Sequence, residues 1–483
     1  MNNISSNISK MAATKTRKTK KTKTTKATRK QKNRNKNYIA SNNSISILFQ
    51  NQDIIQPAKT IKVEKLVKLH DYPSPIIINL DGKKIARHDM DSVIKKLELA
   101  KLKMYSYEEL LSDPEVLKLK RLAMNISHNL STYINKVFFK YDGVRGVSNG
   151  YVKLWEIYQQ FGAAIMKKVK SPATFLHMCE APGNWIKCTK QYMTRFHPMI
   201  RYKWFANSLN PFNAEIKETY GKVFQDELNY MANYPNQWVF GADDTGDITR
   251  VANIKNIAKR TGPVALITGD AGLGTDMDVF LLQKLEVAQL VMSLACVAKG
   301  GSAIIKYFAS SYGADFDLMK RSVPYVASII ATYQKYYEQV HMIKPITSNP
   351  MSGEYYIVAI GFKGIMPAEL DKYYQILADF KTDTPVGYSR REYPNLTKGR
   401  REASPFPVGN YKSDAAIENA IATIYQLNAN QTEIVNVIME CHLEKDKNPP
   451  KECHHYLQDN TKYMIPLFKT WIKKNRYVAM NIK

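Results

Sequence analysis

Between residues 174 and 362, short apolar runs alternate with longer segments in which apolar residues recur at helical spacing. Apolar runs of strand length separated by helical segments are typical of a parallel sheet with helices on both faces. The pattern therefore predicts a doubly wound α/β fold. Its six predicted strands are 173–179, 202–208, 264–270, 302–308, 339–343 and 354–362.

The residues on both sides of this sheet have a different pattern. After the polar Asp91, apolar residues recur at helical spacing, which predicts helices around 91–104 and 108–137. Apolar residues after position 413 keep the same spacing. The chain is therefore predicted to contain a mixed, mainly helical N-terminal region at 41–144, the sheet domain at 145–364, a connector rich in Pro and Arg at 365–412, and a helical C-terminal region at 413–483.

Positive charge is concentrated at the N-terminus. Residues 1–40 contain thirteen Lys and Arg and no Asp or Glu, and residues 12–37 contain no apolar side chain larger than Ala. Because such a segment has nothing to bury, residues 1–40 are predicted to form a disordered basic arm. The arm either binds a polyanion or acts as a solubilising or import-like leader. Residues 41–483 carry +14 of the formal +27, which predicts a surface that can hold a nucleic-acid backbone.

Composition excludes several classes of protein. Five cysteines, scattered and odd in number, predict no disulfide framework and a reducing compartment. No apolar run reaches the ~18–20 residues of a membrane span, and no signal-peptide segment follows the basic N-terminus, so a soluble chain is expected. Cys441, His442 and the cluster 453–455 lack the spacing typical of a zinc site, and metal-free helix ends are the preferred interpretation. No metal is expected.

A turn motif follows the first predicted strand, where the sequence is Cys179-Glu180-Ala181-Pro182-Gly183-Asn184-Trp185. A glycine in such a turn lets the backbone approach a ligand, and the helix that follows offers free N–H groups. A Pro-Gly turn between a strand and a helix is also a common structural feature. The motif alone therefore leaves both interpretations open.

Four ionisable residues stand at unusual places in the predicted sheet domain. Lys306 lies inside an apolar strand, where burial favours a neutral amine that can act as a general base, unless the strand is an edge from which the lysine reaches water. Asp270 ends the middle strand, where it either takes part in chemistry or caps the following helix. Lys153 and Glu354, taken singly, have the pattern of surface charges.

Together, these four residues resemble the Lys-Asp-Lys-Glu tetrad of the FtsJ-type (RrmJ-like) RNA 2'-O-methyltransferases, in the family's order. The resemblance covers residues 145–363 and includes Lys344-Pro345, which precedes Glu354 as in the family. It implies a Rossmann-like S-adenosylmethionine methyltransferase sheet with helical N- and C-terminal additions. It also implies that the catalytic residues are Lys153, Asp270, Lys306 and Glu354.

Two further segments resemble the family's cofactor site. The turn at 179–185 resembles the Ala-Pro-Gly-Gly-Trp/Phe loop, and Gly246-Asp247-Ile248-Thr249 resembles an element of cap-specific members, whose Asp contacts the adenine. Asn184 departs from the family's second glycine, and 205–208 lacks the usual ribose-binding acid, for which Asn207 or backbone groups are expected to substitute. The residues implied to bind S-adenosylmethionine are Glu180, Ala181, Pro182, Gly183, Asn184, Trp185, Asn207, Asp247, Ile248 and Asp270.

The resemblance implies methyl transfer to the ribose 2'-OH of the first transcribed nucleotide of capped mRNA. In this mechanism Lys306 accepts the hydroxyl proton or stabilises the alkoxide, while Asp270 and Glu354 orient the two lysines. The Gly-Asp-Ile-Thr element and the large terminal regions favour a capped substrate. The alternatives are a ribosomal or transfer RNA 2'-O-methyltransferase and a non-catalytic RNA-binding subunit of a capping complex.

The expected partners are RNA, in particular capped mRNA 5' ends, and no membrane; capping-complex subunits and the oligomeric state stay open. The Asn-, Lys-, Ile- and Tyr-rich composition, with 30 tyrosines, suggests an AT-rich genome. The arrangement resembles enzymes of large cytoplasmic DNA viruses. The expected location is intracellular, in the cytoplasm, a viral factory or a virion rather than the nucleus.

Overall fold

A mixed seven-stranded sheet forms the centre of the part of the chain described in the computed structural model, in the strand order β1-β6-β7-β5-β4-β2-β3. The described residues are 76–79, 89–123, 130, 132–134, 147–220, 226–272, 279–309, 314–349, 351–380, 415–443 and 461–475. The strands are β1 (Ile76–Asn79), β2 (Ala173–Met178), β3 (Tyr202–Ala206), β4 (Val264–Gly269), β5 (Val297–Phe308), β6 (Tyr337–Lys344) and β7 (Glu354–Phe362).

The sheet is parallel only over β3, β2, β4 and β5. Strand β7 lies antiparallel between β5 and β6, and β1 pairs antiparallel with β6. The prediction of a parallel sheet is therefore wrong at this side. The physical reason is the length of the connection 345–353 between β6 and β7. It is too short for a parallel crossover, which needs about a dozen residues or more.

Helices cover both faces of the sheet, as the α/β pattern predicts. In β5, Ile304 packs into the core on one face and its neighbour Ile305 into the core on the other, which explains why consecutive residues at 303–305 are apolar. The helices are α1 (Met90–Glu108), α2 (Asp113–Ala123), α3 (Asn149–Lys167), α4 (Asn184–Phe196), α5 (Ala214–Tyr220), α6 (Tyr230–Asn233), α7 (Val251–Thr261), α8 (Val279–Cys296), α9 (Phe316–Tyr336), α10 (Pro367–Asp379), α11 (Ala415–Leu443) and α12 (Thr461–Lys474).

The N- and C-terminal helices pack against each other and onto the sheet domain. Helix α1 lies along α11, where Asn436 Nδ2 donates to the Ala100 carbonyl oxygen at 3.0 Å. Both helices pack on α9, through Lys320 with Asp91 and through Tyr425 with Ser322. Helix α12 joins the other face, because Trp471 and Ile472 share a core with α3 and α4. The fold class with helical additions at both ends is confirmed.

Several predictions fall partly or wholly outside the described residues. These include the arm at 1–40, the connector at 381–414 and the cluster 453–455, so the predicted domain boundaries stay predictions. Among the described cysteines, Cys179, Cys188 and Cys296 are free thiols, whereas Cys441 is disulfide-bonded. No helix within the described ranges is long and apolar enough to cross a bilayer.

Candidate active site

A cavity of about 540 Å³ opens where the carboxyl ends of β2, β4 and β5 meet. Its volume lies within the range of ~300–1,000 Å³ that is typical of small-molecule sites. The predicted residues that line it are Glu180, Ala181, Pro182, Asn184, Trp185, Asp247, Ile248, Asp270 and Lys306. Lining residues that the sequence did not single out include Ser148, Gly150, Ser208, Leu281 and Leu285.

Asp270 and Lys306 form an ion pair at this cavity, with 3.0 Å between Lys306 Nζ and Asp270 Oδ1. Strand register brings them together, because β4 and β5 are parallel neighbours in which Gly269 lies opposite Ile305. Lys306 is 8% exposed. Tyr356 lies in β7, directly opposite Lys306. Its hydroxyl donates to Asp270 Oδ1 at 3.0 Å, so the carboxylate is also fixed from a third strand.

Lys153 and Glu354 form the second ion pair, with 2.7 Å between Lys153 Nζ and Glu354 Oε1. Lys153 lies in the first turns of α3, whose N-terminus is capped by the Ser148 hydroxyl. Glu354 begins β7 and lies opposite Phe308, so it stands at the same strand end as Lys306. Neither Lys153 nor Glu354 lines the cavity directly. The structure thus brings all four tetrad residues to one end of the sheet.

Electrostatics keep the Lys153–Glu354 pair ionised. Burial raises the pKa of Glu354, but the positive charges of Lys153, Lys306 and Lys344 outweigh it and lower the pKa to about 2. Burial lowers the pKa of Lys153, but Glu354 and Asp270 outweigh it and leave that pKa above its ordinary value. Lys153 is therefore a fixed cation at neutral pH and is unsuited to accept a proton.

The turn at 179–185 is a backbone cradle at the N-terminus of α4. Glu180 Oε1 accepts the N–H groups of Trp185 and Ile186 at 2.7 and 3.0 Å, and burial raises the pKa of this carboxyl well above its usual range. Gly183 has φ +112°, and a Cβ there would lie 2.5 Å from the Tyr230 ring. Glycine is thus required at 183. Asn184 is the first residue of α4, where the helical backbone does not call for a second glycine.

The segment 246–249 forms another wall of the cavity and packs closely on the residues after β3. A Cβ at Gly246 would lie 1.7 Å from the Ser208 carbonyl oxygen. Asp247 Oδ1 accepts the backbone N–H and the hydroxyl of Thr249 at 2.9 and 2.7 Å, and Asp247 Oδ2 lies 3.4 Å from Arg250 Nε. These contacts fix the Asp247 carboxylate at the cavity wall.

The structure does not place Asn207 at the cavity. Its side chain is fully buried, and Nδ2 donates to the Val239 and Gly246 carbonyl oxygens at 2.9 and 3.2 Å. The amide therefore joins the end of β3 to the 246–249 wall. Its neighbour Ser208 lines the cavity instead. The expectation that the Asn207 amide contacts the ribose is corrected in this respect, because its amide group donates to two backbone carbonyl oxygens within the protein.

A small polar niche adjoins Gly150 at the start of α3. A Cβ at Gly150 would lie 3.1 Å from Asp270 Oδ2, 3.5 Å from Trp185 Nε1 and 3.7 Å from Ser148 Oγ. Trp185 is 1% exposed, and its indole N–H has no hydrogen-bond partner among the described residues. A buried donor without a partner is costly, so it indicates a ligand acceptor at this point. The only sequence signal for this niche was Gly150 itself, because glycine is an unfavourable residue in a helix.

Residues 146–362 match the model of the FtsJ-like methyltransferase family. These residues form an FtsJ-like methyltransferase domain. The predicted family resemblance is therefore confirmed over the domain that contains both ion pairs, and the enzyme class methyltransferase is supported with it.

Relatives of the FtsJ-like domain occur in viruses and animals. An uncharacterized protein of Acanthamoeba polyphaga mimivirus is 32% identical over 49% of this chain and 28% of that protein. The cap-specific mRNA (nucleoside-2'-O-)-methyltransferase 2 of Mus musculus is 25% identical over 62% of this chain and 39% of that protein. A probable methyltransferase of African swine fever virus is 24% identical over 52% of this chain and 57% of that protein. The chain thus spans well under two thirds of each relative.

The FtsJ-like family implies S-adenosylmethionine as the methyl donor, and the cavity residues fit its chemistry. The niche at Gly150 offers one unpartnered donor, Trp185 Nε1, and one carboxylate oxygen, Asp270 Oδ2, which suit the acceptor and donor groups of an amino-acid end. The apolar side chains of Ile248 and Leu285, together with the fixed Asp247 carboxylate, suit the adenine ring of this donor, whose face is apolar and whose edge is polar.

Proposed function

We propose that this protein is an S-adenosylmethionine-dependent RNA 2'-O-methyltransferase that acts on the first transcribed nucleotide of capped mRNA. The observation that carries the proposal is the amine of Lys306, which is buried, paired with Asp270 at 3.0 Å and located at the wall of the cavity. An amine in this position can hold a substrate hydroxyl and handle its proton.

The residues of the site divide the work of methyl transfer between them. S-adenosylmethionine would supply an electrophilic methyl group on a sulfonium. The 179–185 cradle, the Gly150 niche and Asp247 would hold this donor. Lys306 would bind the ribose 2'-hydroxyl and either accept its proton or stabilise the alkoxide, while Asp270, fixed by Tyr356, orients the Lys306 amine.

Lys153 contributes a permanent positive charge close to the reacting oxygen. It is held by Glu354 and stays protonated, since its pKa lies above the ordinary value. A fixed cation near a developing alkoxide stabilises that charge without reorganisation.

The preference for capped mRNA draws support from two observations. The Gly246-Asp247-Ile248-Thr249 segment, which resembles that of cap-specific enzymes, lines the cavity. The mouse relative is named for cap-specific mRNA 2'-O-methylation. The formal +14 of residues 41–483 suits an RNA substrate of any kind, so it supports RNA binding without distinguishing caps from internal sites.

Methylation assays with labelled cofactor on capped and uncapped transcripts of one sequence test this proposal. We expect label on the capped transcript only, and nuclease digestion followed by mass spectrometry should locate it on the first transcribed ribose. Equal labelling of both transcripts would contradict the cap preference and favour a ribosomal or transfer RNA enzyme. RNA binding without cofactor binding in calorimetry would favour the non-catalytic subunit.

A further inference from the structure

Lys344, the last residue of β6, is a buried lysine that the tetrad does not include. It is 5% exposed, and its Nζ donates to the Glu354 carbonyl at 2.7 Å, the Ser352 carbonyl at 2.8 Å and the Ser348 hydroxyl at 3.4 Å. An ammonium has three N–H donors, so each donor has an acceptor. All three acceptors belong to the connection 345–353 and to the residue that follows it.

These contacts extend directly to the second ion pair of the site. The Ser348 hydroxyl donates to Glu354 Oε1 at 2.6 Å, and Lys153 Nζ lies 2.7 Å from the same oxygen. The backbone of Glu354 is thus held by Lys344, and its carboxylate is held by Ser348 and Lys153. The connection between β6 and β7 closes around one carboxylate.

The burial of Lys344 is unfavourable by itself. Burial lowers its pKa to about 7, although the Glu354 charge opposes that change. An apolar residue in place of a buried ion is often neutral or stabilising, so stability alone gives little reason for a lysine here. Lys344 does not line the cavity, so it is not positioned to touch a substrate.

We propose that Lys344 is a positioning residue for methyl transfer. By bonding the backbone of Glu354 and Ser352 it keeps the Glu354 carboxylate on Lys153, and it thereby fixes the Lys153 cation beside the Asp270–Lys306 pair. The inference rests on the proposed function, because methyl transfer is the reaction that the fixed cation serves. It also assigns a function to the connection between β6 and β7, which contains none of the tetrad residues.

The first test is Lys344→Met, which keeps the length of the side chain and removes the donors. We expect single-turnover methyl transfer to slow by about 10- to 100-fold, because a displacement of about 1 Å in a catalytic group has an effect of this size. Cofactor affinity should stay within about twofold of wild type, since Lys344 does not line the cavity. The matched control is Lys101→Met on α1, which removes a lysine that is also buried, at 8% exposure, and which should leave the rate unchanged.

A double-mutant cycle separates positioning from general loosening of the fold. If Lys344 acts through the Glu354 carboxylate, Lys344→Met should change the rate of Glu354→Gln by no more than about twofold, because the interaction is already lost. An equal loss in both backgrounds would overturn the proposal. Ser348→Ala, which removes only a hydroxyl, should lower the rate without changing cofactor affinity. This variant tests the same contacts if Lys344→Met fails to fold.

A crystal structure of Lys344→Met gives a readout that does not depend on turnover. We expect the distance between Lys153 Nζ and Glu354 Oε1 to exceed 4 Å, against 2.7 Å in the native arrangement. An unchanged distance would overturn the positioning role. If wild type transfers no methyl group to any RNA, the proposed function fails, whereas this distance still decides whether Lys344 positions Glu354.

Discussion

The amine of Lys306 is paired with a carboxylate and lies at the wall of the cavity. Its Nζ is paired with Asp270 at 3.0 Å and lies 5.7 Å from the centre of the Phe308 ring. A Cβ at Gly272 would lie 3.1 Å from this amine, so the glycine leaves room beside it at the cavity. A buried amine with a free approach can serve either as a base or as a clamp for an alkoxide.

Lys306→Ala should abolish methyl transfer and leave cofactor affinity nearly unchanged. The cradle at 179–185 and the wall at Asp247 do not depend on Lys306. The substrate hydroxyl, in contrast, loses its amine partner, because Lys306 is the only lysine among the described residues that line the cavity. Single-turnover kinetics and calorimetry with S-adenosylmethionine measure the two quantities separately. A variant with near-normal activity would remove Lys306 from the mechanism.

Glu156 is a buried acid three positions after Lys153 and predicts a pH dependence of stability. Its carboxylate accepts N–H groups from Ile346 and Trp471, and burial raises its pKa from 4.5 to about 7. Between these values the folded state binds more protons than the unfolded state, so the stabilising contribution is present below pH 4.5 and is lost as pH rises through 7.

Glu156→Gln removes this titration and retains a side-chain oxygen as an acceptor. The free energy of unfolding of the variant relative to wild type should rise by about 3 kcal/mol between pH 5 and pH 8, an order of magnitude set by the pKa shift. Denaturant unfolding at each pH measures the difference, with the exposed Glu227→Gln as control. A difference that stays constant across this pH range would contradict the assignment.

At the scale of elements, the N-terminus of α4 combines a side-chain carboxyl cap with a backbone conformation that only glycine readily adopts. Glu180 satisfies two N–H groups of the first turn, and Gly183 leads into the helix in a left-handed conformation. Asn184 and Trp185 of this turn line the cavity, and a helix N-terminus favours negative charge.

Gly183→Ala should weaken cofactor binding by tenfold or more, since the new methyl group meets the Tyr230 ring at 2.5 Å in a backbone conformation that is already unfavourable for alanine. Gly262→Ala is a matched control, because Gly262 also has a positive φ and no atom lies within 4 Å of the position that its new methyl group would take. Both variants should lose about 1 kcal/mol of stability from the backbone. Calorimetry should show weaker binding only for Gly183→Ala; equal affinities would contradict a cofactor role of the cradle.

At the scale of the whole molecule, the formal net charge of +27 predicts how the affinity for RNA depends on salt. Residues 1–40 contribute thirteen of the positive charges, and residues 41–483 contribute a formal +14. Contacts to phosphates release counterions, so affinity for RNA should fall steeply with salt. The two interpretations of residues 1–40 differ in whether this segment adds to that dependence.

Deletion of residues 1–40 tests whether this segment contacts RNA. If it does, the slope of log affinity against log salt should become shallower by about 0.7 for each phosphate contact that is lost on single-stranded RNA. Fluorescence anisotropy with a labelled transcript over a series of salt concentrations measures the slope. An unchanged slope would favour the leader interpretation.

Much of the fold and part of the site could be predicted from local sequence. Each predicted strand corresponds to an observed strand, because buried strands have apolar sequences that neighbours along the chain reveal. Asp270 and Lys306 stood out because polar residues at the carboxyl ends of such strands are unusual. Tyr356 gave no comparable signal, because its partner Asp270 lies on a strand that is distant in the sequence. Lys344 was noted only as part of the family resemblance, and its contacts to the backbone of Ser352 and Glu354 could not be predicted.

The sequence alone determined the α/β class, the order of the motifs and the charge, because these follow from the local pattern of apolar, polar and charged residues. Tertiary structure decided the direction of β7, the burial of Asn207 away from the cavity, and the contacts that join Lys344 to Glu354. These depend on strand register and on side-chain direction across the sheet. Such quantities arise only when remote parts of the chain pack together.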